Sequence, residues 1–170
     1  MYEIMRPSII TNKYLALVGI SLSLVLFGCV PAKKTFRVVQ FCFTKEDKAS
    51  VLRETLKQIA NNEHMIFRDV SGDSFDQIKQ TEVGLERNKN RSEFISIFSY
   101  LDEGMTLGAS NLGLGDDQVA VSFIAGKNQS NAVLFADAVV LQLKQKWVVK
   151  DINPNSGALP MTCSFSATKN

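Results

Sequence analysis

An apolar run from Tyr14 to Phe27, broken only by Gly19, Ser21 and Ser23, decides how much of this 170-residue chain is available to fold. About 20 apolar residues are needed to cross a bilayer as a helix, and this run is shorter. Arg6 and Lys13 precede it, and the small residue Gly28 followed by Cys29 closes it. A positive start, an apolar middle and a small residue before a cut is the layout of a secretory signal. The alternative is a buried helix with a stray cysteine. Residues 1–28 therefore read as a signal peptide, and the mature chain is expected to begin at Cys29.

The tetrapeptide Leu26-Phe27-Gly28-Cys29 resembles the lipobox of bacterial lipoproteins, with Phe27 standing where a small or branched residue is usual. The resemblance implies cleavage before Cys29, lipidation of Cys29 on its sulfur and amine, and a membrane anchor. Val30 follows the cysteine where an Asp would signal retention in the inner membrane. The implied location is the periplasmic face of the envelope, at the outer membrane. Residues 29–35, with Pro31, read as a lipidated tether, 36–153 as the periplasmic domain, and 154–170 as a C-terminal tail.

Charge and cysteines narrow the function classes. The formal net charge is +2 at pH 7, and removal of Arg6, Lys13 and Glu3 with the signal leaves the balance close to neutral. Nucleic-acid binders carry a strong basic excess, so no nucleic-acid partner is expected. Lys33, Lys34 and Arg37 cluster beside the anchor, as a solvated tether or against anionic headgroups. Once Cys29 is spent on lipid, Cys42 and Cys163 are a candidate disulfide pair in an oxidising compartment. Such a bridge closes a loop of about 120 residues, which loop-closure entropy values at roughly 4 to 5 kcal/mol. The alternative makes Cys42 a small core residue and Cys163 a tail thiol. One His and two separated Cys cannot supply a zinc ligand set, so neither metal nor cofactor is expected.

Periodicity then gives an outline. Phe36 to Phe43 is rich in aromatic and β-branched residues with apolar side chains on both faces, as in a strand inside a sheet. Thr44 is positioned to cap a helix in which Ala49, Leu52, Leu56 and Ile59 form one stripe, ended by Asn61-Asn62. Strands follow at His64–Val70, Phe94–Tyr100, Met105–Ala109 and Gln118–Ala125, with a turn at Asp102-Glu103-Gly104 between the third and fourth. Ser74 to Arg91 is polar, with a weak stripe from Phe75 and Ile78. A second helix starts at Asn128 or Ser130 and carries Phe135, Ala138, Val139 and Leu143, and Trp147–Ile152 is the last strand. This order predicts an α+β fold, a ferredoxin-like sandwich: a mostly antiparallel sheet, two main helices on one face, and an inserted hairpin.

No catalytic set emerges. Gly72-Asp73-Ser74-Phe75 resembles the nucleophile block of GDSL hydrolases, but a serine nucleophile needs a base within reach. The single histidine, His64, lies upstream, where that family places its base far downstream, so a capped turn is the better reading. Cys42 and His64 as a thiol–imidazole pair lack a third orienting group; His64 reads as a strand-edge polar residue. Gly108 to Gly115 lacks the Lys-Ser/Thr ending of a phosphate-binding loop and precedes a strand, so its glycines set a turn or bulge.

Leu112 to Phe123, Phe135-Ala-Asp-Ala-Val-Val140, Trp147-Val-Val149 and Gly157-Ala-Leu-Pro-Met161 together resemble small proteobacterial lipoproteins, among them immunity lipoproteins directed against secreted toxins. The resemblance covers the last third of the chain. It implies a lipid-anchored domain that binds a periplasmic protein, with a structural or assembly lipoprotein as the alternative. The candidate partner-binding residues are Arg87 and Lys89 in the polar connector and Asp116 and Asp117 in the loop before the fifth strand, since binding residues concentrate on loops.

Overall fold

The chain divides into two compact units, Met1–Ala32 and Lys33–Asn170. The computed structural model describes residues 34–44, 49–80, 88, 90–101 and 104–163, all in the second unit. The signal peptide, Cys29, Arg87 and Lys89 lie outside the described residues. No helix among the described residues is long and apolar enough to cross a membrane.

Among the described residues the fold is α+β: six antiparallel strands and three helices. In chain order the elements are β1 (Thr35–Cys42), α1 (Ala49–Asn62), β2 (Ile66–Asp69), α2 (Ser71–Gln80), β3 (Ser96–Tyr100), β4 (Thr106–Ser110), β5 (Gln118–Ile124), α3 (Gln129–Lys144) and β6 (Lys150–Ile152). The sheet order is β2-β3-β4-β5-β1-β6. β1 runs through the interior of the sheet, pairing Val39 with Val121 of β5 and with Asp151 of β6. Its apolar residues on both faces are explained by that place.

Because β5 and β6 both run antiparallel to β1, α3 joins two parallel strands with one strand between them. A ferredoxin-like sandwich interleaves two such units. Here β1 and β2, joined by α1, have three strands between them, so the observed architecture is an open six-stranded α+β sheet. The inserted hairpin is β3–β4, in register from Ser96↔Ser110 to Tyr100↔Thr106.

Strand alternation gives the sheet two unlike faces. Val39, Phe41, Ile97, Leu107, Ala109, Val119, Val121 and Phe123 form one buried cluster with Leu52, Leu56 and Ile59 of α1 and Phe135, Val139, Val140 and Leu143 of α3. The α1 stripe read from sequence is its buried face: Leu52 and Leu56 are fully buried. Trp147 closes the end of this core, its ring stacked on Phe41 with centroids 4.8 Å apart.

Two helix boundaries differ from expectation. Ser71-Gly72-Asp73, expected as a turn, is the first turn of α2: the Asp69 carboxylate accepts both Ser71 N–H (3.0 Å) and Ser71 Oγ–H (2.5 Å), which satisfies the first free helix amide. His64 is not on a strand edge. It follows α1 with φ of 55°, donating its N–H to Asn61 O while Met65 N–H reaches Ala60 O. That pair of bonds is a Schellman closure with a non-glycine in the left-handed position.

Candidate functional site

Three arrangements on the domain bear on function: a strap across the outer sheet face, the half of that face the strap leaves uncovered, and the loops that carry the charged residues singled out above.

The strap is the segment after β6. From Asn153 the chain turns, and residues 157–163 cross the sheet face away from α1 and α3. Gln40 and Gln118, both buried and neighbouring on that face, hold it. Gln40 Nε2 donates to Leu159 O (2.7 Å) and to Gln118 Oε1 (3.3 Å). Gln118 Nε2 donates to Met161 O (2.8 Å), and Gln118 Oε1 accepts Met161 N–H (2.7 Å). Cys42 and Cys163 are joined by a disulfide, Cα–Cα 5.8 Å. Residues 154–163, read as tail, are therefore part of the folded domain. With Cys42 consumed in the bridge, its sulfur cannot pair as a thiol with His64, which is exposed beside α1.

Beyond the strap, the β2–β3–β4 half of this face is open. Register places Ile66 opposite Tyr100 and Phe98 opposite Gly108. Ile66 is 44% and Phe98 37% exposed. The Phe98 and Tyr100 rings stack, 6.1 Å apart and 24° from parallel. Gly108 keeps the strip beside Phe98 low: a Cβ there would meet Ser122 Oγ at 3.0 Å. The result is an aromatic and aliphatic strip that holds Arg68 opposite Phe98 and is bordered by Thr106, Ser110 and Ser122, with α2 meeting the same face at Ser96 through Ser71 and Ser74.

The charged candidates sit elsewhere. Asp116 Oδ2 accepts the Asn90 N–H at 3.1 Å, and the Asp117 carbonyl accepts Phe43 N–H at 2.8 Å. Both side chains are half-buried. The loop from 111 to 117 is clipped from within by two buried asparagines. Asn111 Oδ1 accepts Ile95 N–H (2.8 Å) and Asn111 Nδ2 donates to Glu93 O (2.9 Å); Asn88 Nδ2 donates to Asn111 O and Asn88 Oδ1 accepts Gly113 N–H. Gly113 has φ of 73°, a left-handed value that suits glycine. Asn88, Asn111, Gln40 and Gln118 were missed because isolated amides read as surface residues. Gln40, set within an apolar strand, was the one available signal.

Ser74 is part of the α2 helix, with N–H to Val70 O (2.9 Å) and Oγ 3.4 Å from Ser96 Oγ. Beside it, Arg53 and Arg91 border a groove with the first turn of α2, but their charges are spent locally. Arg53 pairs with Asp69 at 3.2 Å and Arg91 with Asp76 at 2.9 Å. The hydrogen bond from Arg91 holds the Asp76 carboxyl below its ordinary value of 3.8. Arg37 bridges Asp137 (2.6 Å) and Asp151 (2.9 Å); burial lowers its pKa, the two carboxylates outweigh that, and the net shift is upward. Among the described residues no group of His, Cys, Asp and Glu is placed to hold a metal ion.

No protein-family model matches the chain, and no curated protein sequence matches it.

Proposed function

We propose that this is a lipid-anchored protein of the bacterial envelope whose domain works by binding another protein, with the open β2–β3–β4 face as the contact. The observation that carries the reading is the uncovered strip of Ile66, Phe98 and Tyr100. Aromatic residues are enriched at protein interfaces and supply much of their binding energy. Two further observations support it. The Cys42–Cys163 bridge suits an oxidising compartment, and Leu26-Phe27-Gly28-Cys29 fits a lipid-attachment site at Cys29.

The most specific form of the proposal is an immunity protein that covers a secreted toxin, on the sequence resemblance given above; the alternative is an assembly lipoprotein of an envelope complex. Arg87, Lys89 and Asp117 are proposed as charged contacts, whereas Asp116 serves Asn90. No catalytic residue is assigned. A ferredoxin-like arrangement is proposed only for the β5–α3–β6 unit with β1 between its strands.

The test is affinity capture from detergent-solubilised envelopes, with a Phe98→Ala, Tyr100→Ala double variant as comparison. Capture of one protein by the native chain, at least tenfold weakened in the variant at equal stability, is the expected result. Equal capture by both removes the face from the reading. Loss of activity from Ser74→Ala or His64→Ala at normal stability would replace binding by an enzyme. Labelling with a palmitate analogue, present in the native chain and absent in Cys29→Ser, tests the anchor separately.

A further inference from the structure

The chain after β6 lies on the domain without entering its core. Among the described residues the turn Asn153–Ser156 is bonded only locally: Asn153 accepts Asn155 N–H through Oδ1 and Ser156 N–H through its carbonyl. Gly157 then takes φ of 70°, with open space where a Cβ would stand. Past that pivot, residues 157–163 hold no place in the hydrophobic cluster, and Leu159 is 66% exposed. Three hydrogen bonds to the Gln40 and Gln118 side chains tie them to the sheet, together with the bridge from Cys163 to Cys42. The Cys163 sulfur stands 3.9 Å from Asp117 O and, while bridged, has no hydrogen to donate.

The bridge, not the hydrogen bonds, does the holding. The net gain from one hydrogen bond does not exceed the entropy lost when one residue's backbone is fixed. Three bonds therefore fall short of ordering the seven residues from Gly157 to Cys163, and no fully buried apolar side chain among them makes up the difference. A penalty also lies underneath. Gln40 is fully buried, and its Oε1 has no hydrogen-bond partner among the described residues. The amide cannot be turned to relieve this, because Oε1 would then face the Leu159 carbonyl that Nε2 serves at 2.7 Å. Water reaching Gln40 once the strap lifts removes that penalty. The sheet has no such dependence on the strap: β1 pairs with β5 and β6 on its two edges, and Val39 and Phe41 pack its other face into the core.

We propose that the Cys42–Cys163 bridge is a redox latch: a protein dithiol reduces it, the strap swings out about Asn153–Gly157, and Gln40 and Gln118 are uncovered with the sheet intact. Both cysteines are half-buried, not enclosed. A thiolate of the dithiol attacks one sulfur, the S–S bond breaks, and the other sulfur leaves and takes up a proton. The second thiol of the reductant then displaces the first from the mixed disulfide. Cys42 and Cys163 together gain two electrons and two protons, and the reductant becomes a disulfide. Register joins the uncovered ground to the open strip: Gln40 lies opposite Ala120, Ala120 opposite Ser110, and Ser122 opposite Gly108. Release therefore extends one continuous outer face from β2 to β1. The inference concerns the strap and does not rest on that face having the partner proposed above.

The experiment follows hydrogen exchange of the full chain with the bridge intact, after treatment with dithiothreitol, and in a Cys42→Ala, Cys163→Ala variant. Alkylation and peptide mass report whether Cys42 and Cys163 have been reduced. Exchange at Met161, whose N–H is bonded to Gln118, is expected to quicken about tenfold or more in both unbridged forms. Val39 and Val121 are expected to stay protected over the same interval, with the near-UV signal of Trp147 retained. A bridge that dithiothreitol leaves unreduced in the folded protein overturns the inference. So does a Met161 amide that stays protected without the bridge, which would mean the glutamines hold the strap unaided. Joint loss of protection at Met161, Val39 and Val121, along with the Trp147 signal, also overturns it, since the bridge would then hold the whole domain rather than the strap.

Discussion

Gln118 and Met161 are paired as two strand residues would be, although one partner is a side chain: the Gln118 amide donates to the Met161 carbonyl and accepts the Met161 N–H, at 2.8 and 2.7 Å. A buried glutamine thus gives an isolated segment the hydrogen bonds that a seventh strand would have supplied.

Gln118→Leu keeps the volume and removes both bonds. The expected cost is about 1 to 3 kcal/mol, since a part-buried backbone donor and acceptor on the strap lose their partners. Chemical denaturation measures this, and faster hydrogen exchange at the Met161 amide shows where it arises. An unchanged midpoint with unchanged exchange would mean the pair contributes nothing.

Replacing Cys42 and Cys163 with Ala tests the second restraint on the strap. The bridge links residues 121 apart, and loop-closure entropy predicts a loss of roughly 4 to 5 kcal/mol. Thermal melts of the double variant, and of the native protein with and without a dithiol reductant, should agree with one another. A variant as stable as the native protein would place the bridge's contribution near zero.

His64→Gly should stabilise the protein. A left-handed conformation costs a non-glycine residue about 1 to 2 kcal/mol, while glycine adds unfolded-state entropy worth about 0.5 to 1. The expected gain is about 0.5 to 1 kcal/mol in a denaturant titration. A loss would show that the histidine ring makes a contact worth more than the strain.

Arg91 lowers the Asp76 pKa in the folded state. A carboxylate with a depressed folded pKa stabilises the fold above its unfolded value, and that contribution disappears as pH falls through the folded pKa. Stability should therefore decline in acid below about pH 4, and less so in Arg91→Ala. An NMR titration of Asp76 should show its pKa rise in that variant. Because the pair is solvent-exposed, the effect on the melt should be small.

The α1 stripe and the strand segments were legible because they rest on local periodicity, which burial against a single core enforces. Leu52, Leu56, Phe123, Phe135 and Trp147 are all in that core. Strand order was not legible, since nothing near Thr35–Cys42 reveals that its neighbours begin at Gln118 and Lys150. The start of α2 was hidden because its cap is the Asp69 side chain, in what reads as a strand. The strap was hidden for a related reason: residues 157–163 have no periodicity, and what holds them is a pair of amides far back in the chain. Of the candidate contacts, Asp116 drew notice as a charge in a glycine-rich loop, yet it is tied to Asn90. The exposed ring pair was concealed by alternation, for Phe98 and Tyr100 look like ordinary strand residues until the opposite face is seen to be bare.

The Cys42–Cys163 bridge also sets how the domain bears load. A pull applied between residue 34 and the chain beyond Cys163 runs along β1 to Cys42 and crosses directly through sulfur to Cys163. Everything from Phe43 to Thr162 is bypassed, so tension between the two ends is not carried by the segment between the cysteines. Only β1, paired on both edges, stands in the path.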